Sequence, residues 1–139
     1  MHRKTLIALI GAIIIAVAAT GAALAASAGP AVNVRIRTLT TTLKNVVAHG
    51  ETGWITKGGT PTGKCPGNSA AGALDVATHG KWAGKYYASV GGIFVTSILG
   101  VKPKSPDYWG FLVNGKTSNK GVCQVKLRAG EKLLFKIIK

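Results

Sequence analysis

Alternating apolar and polar residues predict the first strand of a β-sheet. In residues 31–37 (AVNVRIR), the side chains of Val32, Val34 and Ile36 fall on one face and polar side chains fall on the other, the pattern of a strand with one buried face. Residues 38–48 are rich in β-branched side chains, so they are predicted to turn back as a second strand. Three further apolar runs predict strands over residues 92–101, 108–113 and 132–139.

One α-helix is predicted, over residues 69–78 (SAAGALDVAT). Its apolar residues recur at the spacing of a single helix face: Ala70, Ala73, Leu74 and Ala77. Either Asn68 or Ser69 can cap its start by accepting a hydrogen bond from a free backbone N–H group. His79 and Gly80 can end it with a positive φ angle. Because the helix is short, it is expected to be stable only when packed on a sheet.

The remaining segments are predicted to be connections. Residues 49–68 are rich in glycine and proline and form a long loop, and residues 102–107 contain two prolines. Residues 81–87 (KWAGKYY) are interpreted as a loop of aromatic and basic side chains. Asn114-Gly115 is the strongest short signal for a type I′ hairpin. This order of elements predicts one helix on one mixed sheet, an α+β fold.

The N-terminus has the pattern of a secretory signal peptide over residues 1–28. Arg3 and Lys4 precede an uncharged stretch whose dense apolar part covers residues 6–17, and small residues in an A-x-A arrangement follow. The alternative is an uncleaved membrane anchor, because an apolar stretch of this length can span a bilayer. Residues 29–139 have the size of one domain with one core, so the chain is predicted to be secreted or associated with the cell envelope.

The chain is strongly basic. Its formal net charge is +14, and removal of Arg3 and Lys4 with the signal peptide lowers this to +12. A field of this sign attracts anionic surfaces such as wall polymers, anionic lipid or nucleic acid, although it also simply keeps a soluble protein from associating with itself. Charge therefore suggests a class of partner and says nothing about the fold.

The only two cysteines, Cys65 and Cys123, both follow the predicted signal peptide. An even pair in an exported chain most simply forms one disulfide. The alternatives are a reactive thiol or a zinc site, and a zinc site would have to draw the distant His49 and His79 to the same point. We therefore predict an intramolecular disulfide between Cys65 and Cys123, and no metal site.

Four motifs occur in order along the chain: SAAGALDVAT, GGIFVTSILGV, YWGFLVNGK and GVC. In this combination the chain resembles a secreted bacterial family of domains of unknown function, related to the C-terminal β-grasp domain of the cobalamin carriers transcobalamin and intrinsic factor. The resemblance covers nearly all of residues 29–139. It implies a β-grasp (ubiquitin-like) fold, with one short helix packed on a mixed sheet. Since the carrier domain covers one face of a corrinoid, it also implies cobalamin as a candidate ligand, with no resident cofactor.

Aromatic side chains that alternate with lysines form the candidate binding surface. Stacking faces beside cations can hold a flat ligand. The predicted ligand-binding residues are Trp82, Tyr86, Tyr87 and Tyr108. The alternative is that these residues only pack at the rim of the core. The core itself is predicted to contain Phe94, Trp109 and Phe111.

No catalytic constellation is predicted. Asp75 and His79 are spaced for one helix face, but no serine or free cysteine is placed to join them as a nucleophile. Glycoside hydrolysis needs two carboxylates that converge on one bond. Only four acidic residues follow the predicted signal peptide, so no such pair is predicted. Two functional hypotheses follow. One is an exported, non-enzymatic β-grasp module for a flat, cofactor-like ligand such as a corrinoid. The other is a basic envelope protein that associates with anionic wall polymers or the membrane surface, without specific nucleic acid binding.

Overall fold

The computed structural model describes residues 29–139, so the predicted signal peptide lies outside the described residues. A 3₁₀ turn at Lys57–Gly59 precedes the single α-helix, α1 (Ala70–Thr78). The strands are β1 (Ala31–Arg37), β2 (Thr42–His49), β3 (Trp82–Tyr87), β4 (Gly92–Ile98), β5 (Tyr108–Val113), β6 (Lys116–Thr117) and β7 (Lys132–Ile138). In this part of the chain, no helix is long and apolar enough to cross a bilayer.

The strands form two sheets. Five strands are ordered β2-β1-β7-β5-β6, and β3 pairs with β4 in a separate two-stranded sheet. The central pair, β1 and β7, is parallel, whereas β1–β2 and β5–β7 are antiparallel. The predicted α+β fold, with one helix on a mixed sheet, is therefore confirmed. The prediction of a single sheet is wrong, because β4 pairs with β3 outside the large sheet.

The core lies between α1 and the inner face of the large sheet. On β1 the alternating residues Val32, Val34 and Ile36 are all buried, as predicted. The register of β1 and β7 places Val34 beside Leu133 and Ile36 beside Phe135, so the buried residues of both strands lie on the same face of the sheet. The predicted apolar face of α1 is also buried: Ala70, Ala73, Leu74 and Ala77. Small side chains on the helix allow its backbone to approach the sheet closely.

The start of α1 is not capped by a side chain, so that prediction is wrong for Asn68 and for Ser69. Ser69 is the N-cap residue, but its hydroxyl donates to the carbonyl oxygen of Pro66 at 2.6 Å. The first two N–H groups of the helix instead donate to the backbone carbonyls of Val125 and Val122, at 2.9 and 3.0 Å. A distant segment thus replaces the local cap, because it supplies the acceptors that these buried donors need.

Residues 81–87 were predicted as a loop, and this is wrong: Trp82–Tyr87 is strand β3. It pairs with β4 in antiparallel register, with Tyr86 opposite Ile93, and the register shifts between Ala83 and Gly84. A glycine at such a bulge interrupts the alternation on which a strand prediction depends. The aromatic residues on either side of the bulge still favour a strand.

The Asn114-Gly115 turn between β5 and β6 has the predicted geometry. Both residues have positive φ angles, 50° and 81°, as a type I′ turn requires. The Asn114 Oδ1 atom also accepts a hydrogen bond from the Lys132 backbone N–H group at 2.9 Å. This side chain therefore connects the turn to the first residue of β7.

Cys65 and Cys123 form the predicted disulfide. Their Cα atoms are 4.7 Å apart, within the range for a bridge, and both residues are buried. The bridge joins the segment before α1 to the segment that supplies carbonyl acceptors to the first turn of the helix. It therefore fixes the helix start to the chain that follows the β5–β6 hairpin.

Candidate functional site

Four large apolar side chains are exposed around the place where β4 meets β5. They are Tyr87, Val90, Phe94 and Tyr108, with exposed fractions of 42, 64, 47 and 41%. We call these four residues the Phe94 surface. Phe94 shares one cavity with Tyr108 and another with Tyr87 and Val90. Because clustered exposed apolar residues, unlike single ones, often mark a binding site, this is the candidate functional site.

Strand alternation explains why Phe94 is outside. On β4, Ile93 and Val95 point into the core and are buried, which turns Phe94 to the opposite face. On β5 the same rule buries Trp109 and exposes Tyr108. The prediction that Phe94 belongs to the core is therefore wrong, while Trp109 and Phe111 are buried as predicted.

Phe94 and Tyr108 form an aromatic pair that bridges the two sheets. Their ring centroids are 6.5 Å apart and their planes are tilted by 31°, a favourable offset for two aromatic rings. Because β4 and β5 belong to different sheets, no ladder of backbone hydrogen bonds joins them, and this aromatic pair lies across the gap between the two sheets.

Three open cavities meet at Phe94. The first, of about 580 Å³, lies between β4 and the connection at residues 102–107. The second, of about 530 Å³, is lined by the β3–β4 turn, Asn119 and Gln124. The third, of about 210 Å³, runs between the strands towards Trp109. Cavities of the first two sizes are in the usual range for small-molecule sites.

Polar groups lie at the edges of this surface. The Lys85 ammonium group is 5.3 Å from the centre of the Tyr87 ring, a cation–π contact. The Gln124 amide nitrogen donates to the Val90 carbonyl oxygen at 3.0 Å, and Lys102 lines the first cavity. The arrangement offers aromatic faces at the centre with amide and cationic groups at the rim.

The structure separates the four residues that the sequence predicted for ligand binding. Tyr87 and Tyr108 lie on the Phe94 surface, and Tyr86 is half-buried against the core. The Trp82 ring is only 5% exposed, so it offers no face to a ligand. Phe94 and Val90 were missed, although a Phe flanked by the β-branched residues Ile93 and Val95 is the signal for an outward-facing position.

Trp82 belongs to a structural cluster instead. Its indole N–H donates to Asp75 Oδ1 at 2.6 Å. The Lys57 ammonium group lies 3.5 Å from the same oxygen, 5.3 Å from the centre of the indole ring, and donates to the Gly80 carbonyl at 2.8 Å. Asp75 is thus engaged by Trp82 and Lys57, while His79 is exposed. The cluster joins the long loop to α1 and β3.

Glu51 lies near this cluster. Burial, and after it the negative charge of Asp75, raise the pKa of the Glu51 carboxyl, while the Lys57 charge lowers it. The folded state therefore keeps this proton at pH values where the unfolded chain has lost it. In that window the stability contributed by Glu51 falls as the pH rises.

We expect Glu51→Gln to unfold at a higher urea concentration than the wild type at neutral pH, because it removes an ionised carboxyl from an unfavourable position. The advantage should shrink as the pH falls below the ordinary glutamate pKa, where Glu51 is protonated in both states. Urea denaturation of both proteins at several pH values measures this. An advantage that does not change with pH would contradict the assigned cause.

Residues 29–139 bring together no set of side chains that could bind a metal ion. No three side chains of histidine, cysteine, aspartate or glutamate lie close enough together there to hold an ion. Both cysteines are committed to the disulfide. A metal site would therefore need ligands beyond those that the described residues bring together.

Solved structures of other proteins share this fold. The chain is similar to haptocorrin, a transcobalamin-family protein solved in complex with Cbi, with 17% identity over 79% of this chain and a TM-score of 0.56. It spans only 25% of the haptocorrin chain. It is equally similar, with a TM-score of 0.56 and 12% identity, to a protein from Ruminococcus gnavus ATCC 29149 described as a candidate metal binding protein; that match covers 79% of this chain and 97% of the other. At these identities the likeness shows the fold alone.

Sequence comparison places the chain in a family. No curated protein matches the sequence. A family match covers residues 67–139, from just before α1 to the end of the chain, which is just over half of its length. The matched part contains Cys123, one partner of the disulfide, and all four residues of the Phe94 surface. The chain belongs to the family described as Domain of unknown function (DUF4430).

Proposed function

We propose that this chain is an exported, non-enzymatic β-grasp module that binds one face of a flat, cofactor-like ligand, such as a corrinoid, at the Phe94 surface. The observation that carries the proposal is the exposed Phe94–Tyr108 pair at the meeting point of three cavities. The β-grasp description is supported by the adjacent parallel strands β1 and β7 at the centre of the sheet, with α1 packed on one face.

The chemistry of the surface suits a flat ligand with a polar rim. A macrocycle that covers Phe94 and Tyr108 removes apolar area from water, which contributes roughly 25 cal/mol for each Å². Amide and phosphate groups at the edge of such a ligand can meet Gln124, Lys85 and Lys102. The surface is open, so it can cover one face of the ligand and leaves the other free. The likeness to a haptocorrin solved with Cbi supports this class of ligand.

Export and the lack of catalysis are parts of the same proposal. A disulfide persists in an oxidising, extracytoplasmic setting. The groups that the sequence offered for catalysis are engaged or separated: the cysteines are bridged, and Asp75 binds Trp82 and Lys57.

Equilibrium dialysis against cobinamide and cobalamin tests the proposed ligand. We expect saturable retention of at least one corrinoid, and we expect Phe94→Ala to weaken it about tenfold, because loss of one stacking face costs roughly 1–3 kcal/mol. Trp54→Ala is the matched control, since Trp54 is exposed but lies outside the Phe94 surface, and it should bind as the wild type does. No saturable retention up to high micromolar concentration would remove corrinoids as the ligand class.

A further inference from the structure

The side of the five-stranded sheet that faces away from α1, which we call the outer face, carries a row of cations. The inward positions of β1 and β7 are buried, so the alternate positions point outward. The outward cations are Arg35 and Arg37 on β1 and Lys132 and Lys136 on β7. All four are exposed or half-exposed.

No acidic side chain neutralises this row. The acids of residues 29–139 lie elsewhere, in loops, at a turn or on α1: Glu51, Asp75, Asp107 and Glu131. The ion pair found in this part of the chain joins Lys57 to Asp75. On the outer face, Arg37 stands opposite Lys136 in the β1–β7 register, and like charges in opposite positions destabilise a sheet. An anion bound here would relieve that repulsion.

The cations follow the direction of the strands. Successive outward residues are about 6.6 Å apart along a strand, and neighbouring strands are about 4.8 Å apart. The register places Lys132 beside Asn33, Leu134 beside Arg35 and Lys136 beside Arg37. The charges therefore occupy three successive levels over roughly 13 Å: Lys132 at the first, Arg35 at the second, and the pair of Arg37 and Lys136 at the third. This is a linear array, which matches an extended chain with regularly spaced negative charges better than a single compact anion.

We propose that the outer face binds a linear polyol-phosphate polymer, with its phosphodiester groups on Arg35, Arg37, Lys132 and Lys136. Single-stranded nucleic acid fits less well because it needs a series of aromatic stacking positions along its path. The strands β1, β2 and β7 present no outward Phe, Tyr or Trp, and Tyr108 on β5 lies at the edge of the outer face, opposite Ile138 and beyond the last cation. A bilayer fits less well because the apolar residues between these cations, such as Leu134, are half-buried and do not protrude for insertion. This surface borders the Phe94 surface at Tyr108, which stands opposite Ile138 on the outer face, and it requires no corrinoid.

Binding of purified protein to a synthetic poly(glycerol phosphate), measured over a range of salt concentrations, tests the proposal. We expect the pair Arg35→Gln and Lys136→Gln to weaken binding about tenfold at low salt. It should also reduce the slope of log K against log salt by about two, one for each phosphate that the variant no longer neutralises. The matched control is the pair Lys64→Gln and Lys81→Gln, which removes the same charge from exposed positions outside the large sheet and should keep the wild-type slope.

Three results would overturn the proposal. Equal weakening by both pairs would mean that net charge alone attracts the polymer. Tighter binding of an oligothymidylate, or of vesicles of anionic lipid, that is lost in the Arg35→Gln and Lys136→Gln pair would assign the face to another partner. Weak binding by the charge-preserving pair Arg35→Lys and Lys136→Arg would show that charge is not the cause. That last pair also keeps the test decisive if the glutamine pair fails to fold.

Discussion

Replacing both cysteines, by Cys65→Ala together with Cys123→Ala, is expected to lower the free energy of unfolding by about 4 kcal/mol. The bridge joins residues 58 positions apart, so it restricts the unfolded chain strongly, and chain-entropy arithmetic for a loop of that length gives this value. The loss is a large share of the roughly 5–15 kcal/mol that stabilises a domain. Urea denaturation of the variant and of the oxidised wild type measures the difference.

Reduction of the wild type provides the control. Because reductant opens the same loop without substituting any residue, it should lower the wild-type stability by a similar amount and leave the double alanine variant unchanged. An oxidised wild type, a reduced wild type and a variant that all unfold at the same urea concentration would show that the Cys65–Cys123 bridge contributes nothing to stability.

Gly72→Ala is expected to destabilise the protein by about 3 kcal/mol, near the upper end of the range for overpacking. Helix propensity alone predicts the opposite, a gain of roughly 1 kcal/mol for alanine in a helix interior. A methyl group at Gly72 would, however, overlap the backbone carbonyl of Gly67. That carbonyl cannot easily move away, because it accepts the Glu51 N–H group at 2.9 Å. The steric effect should therefore dominate.

Gly121→Ala is the matched control for this prediction. The nearest atom to a methyl group at Gly121 is 3.8 Å away, which is an ordinary van der Waals distance, and the residue has no positive φ angle. We expect a change within about 0.5 kcal/mol. Thermal and urea denaturation of both variants measure the contrast, and a Gly72→Ala protein as stable as the wild type would mean that the loop and α1 separate at little cost.

The sequence predicted correctly those elements whose structure is set by residues close to them along the chain. The alternation in β1 and the Asn114-Gly115 turn identified their structures because side-chain period and positive φ are local properties. The face of α1 was predicted for the same reason. The start of α1 was not, because its N–H groups bond to Val122 and Val125, about fifty positions along the chain. No rule based on residues next to the helix can detect such partners.

The candidate site was predicted only in part. Tyr87 and Tyr108 were identified from their composition, since aromatic residues beside lysines are visible in the sequence. The bulge after Ala83 concealed β3, and with it the fact that Trp82 points into the core. Phe94 was assigned to the core on hydrophobicity alone, although its phase relative to Ile93 and Val95 placed it outside. Both errors have the same cause: the face of the strand on which Trp82 and Phe94 lie depends on their position along the strand, and the residue type alone does not give it.

The position of β7 between β1 and β5 has a consequence for the proposed export of this chain. Val34 and Leu133, which are neighbours in the central pair, lie 99 positions apart, so the sheet cannot close until the last strand is available. Long-range pairing of this kind also slows folding. During the proposed export, a chain still crossing a translocation channel therefore has β1 and β5 without β7, the strand that joins them, and it stays unfolded enough to pass through. Release of residues 132–138 on the far side then allows the whole domain to fold where its disulfide can form.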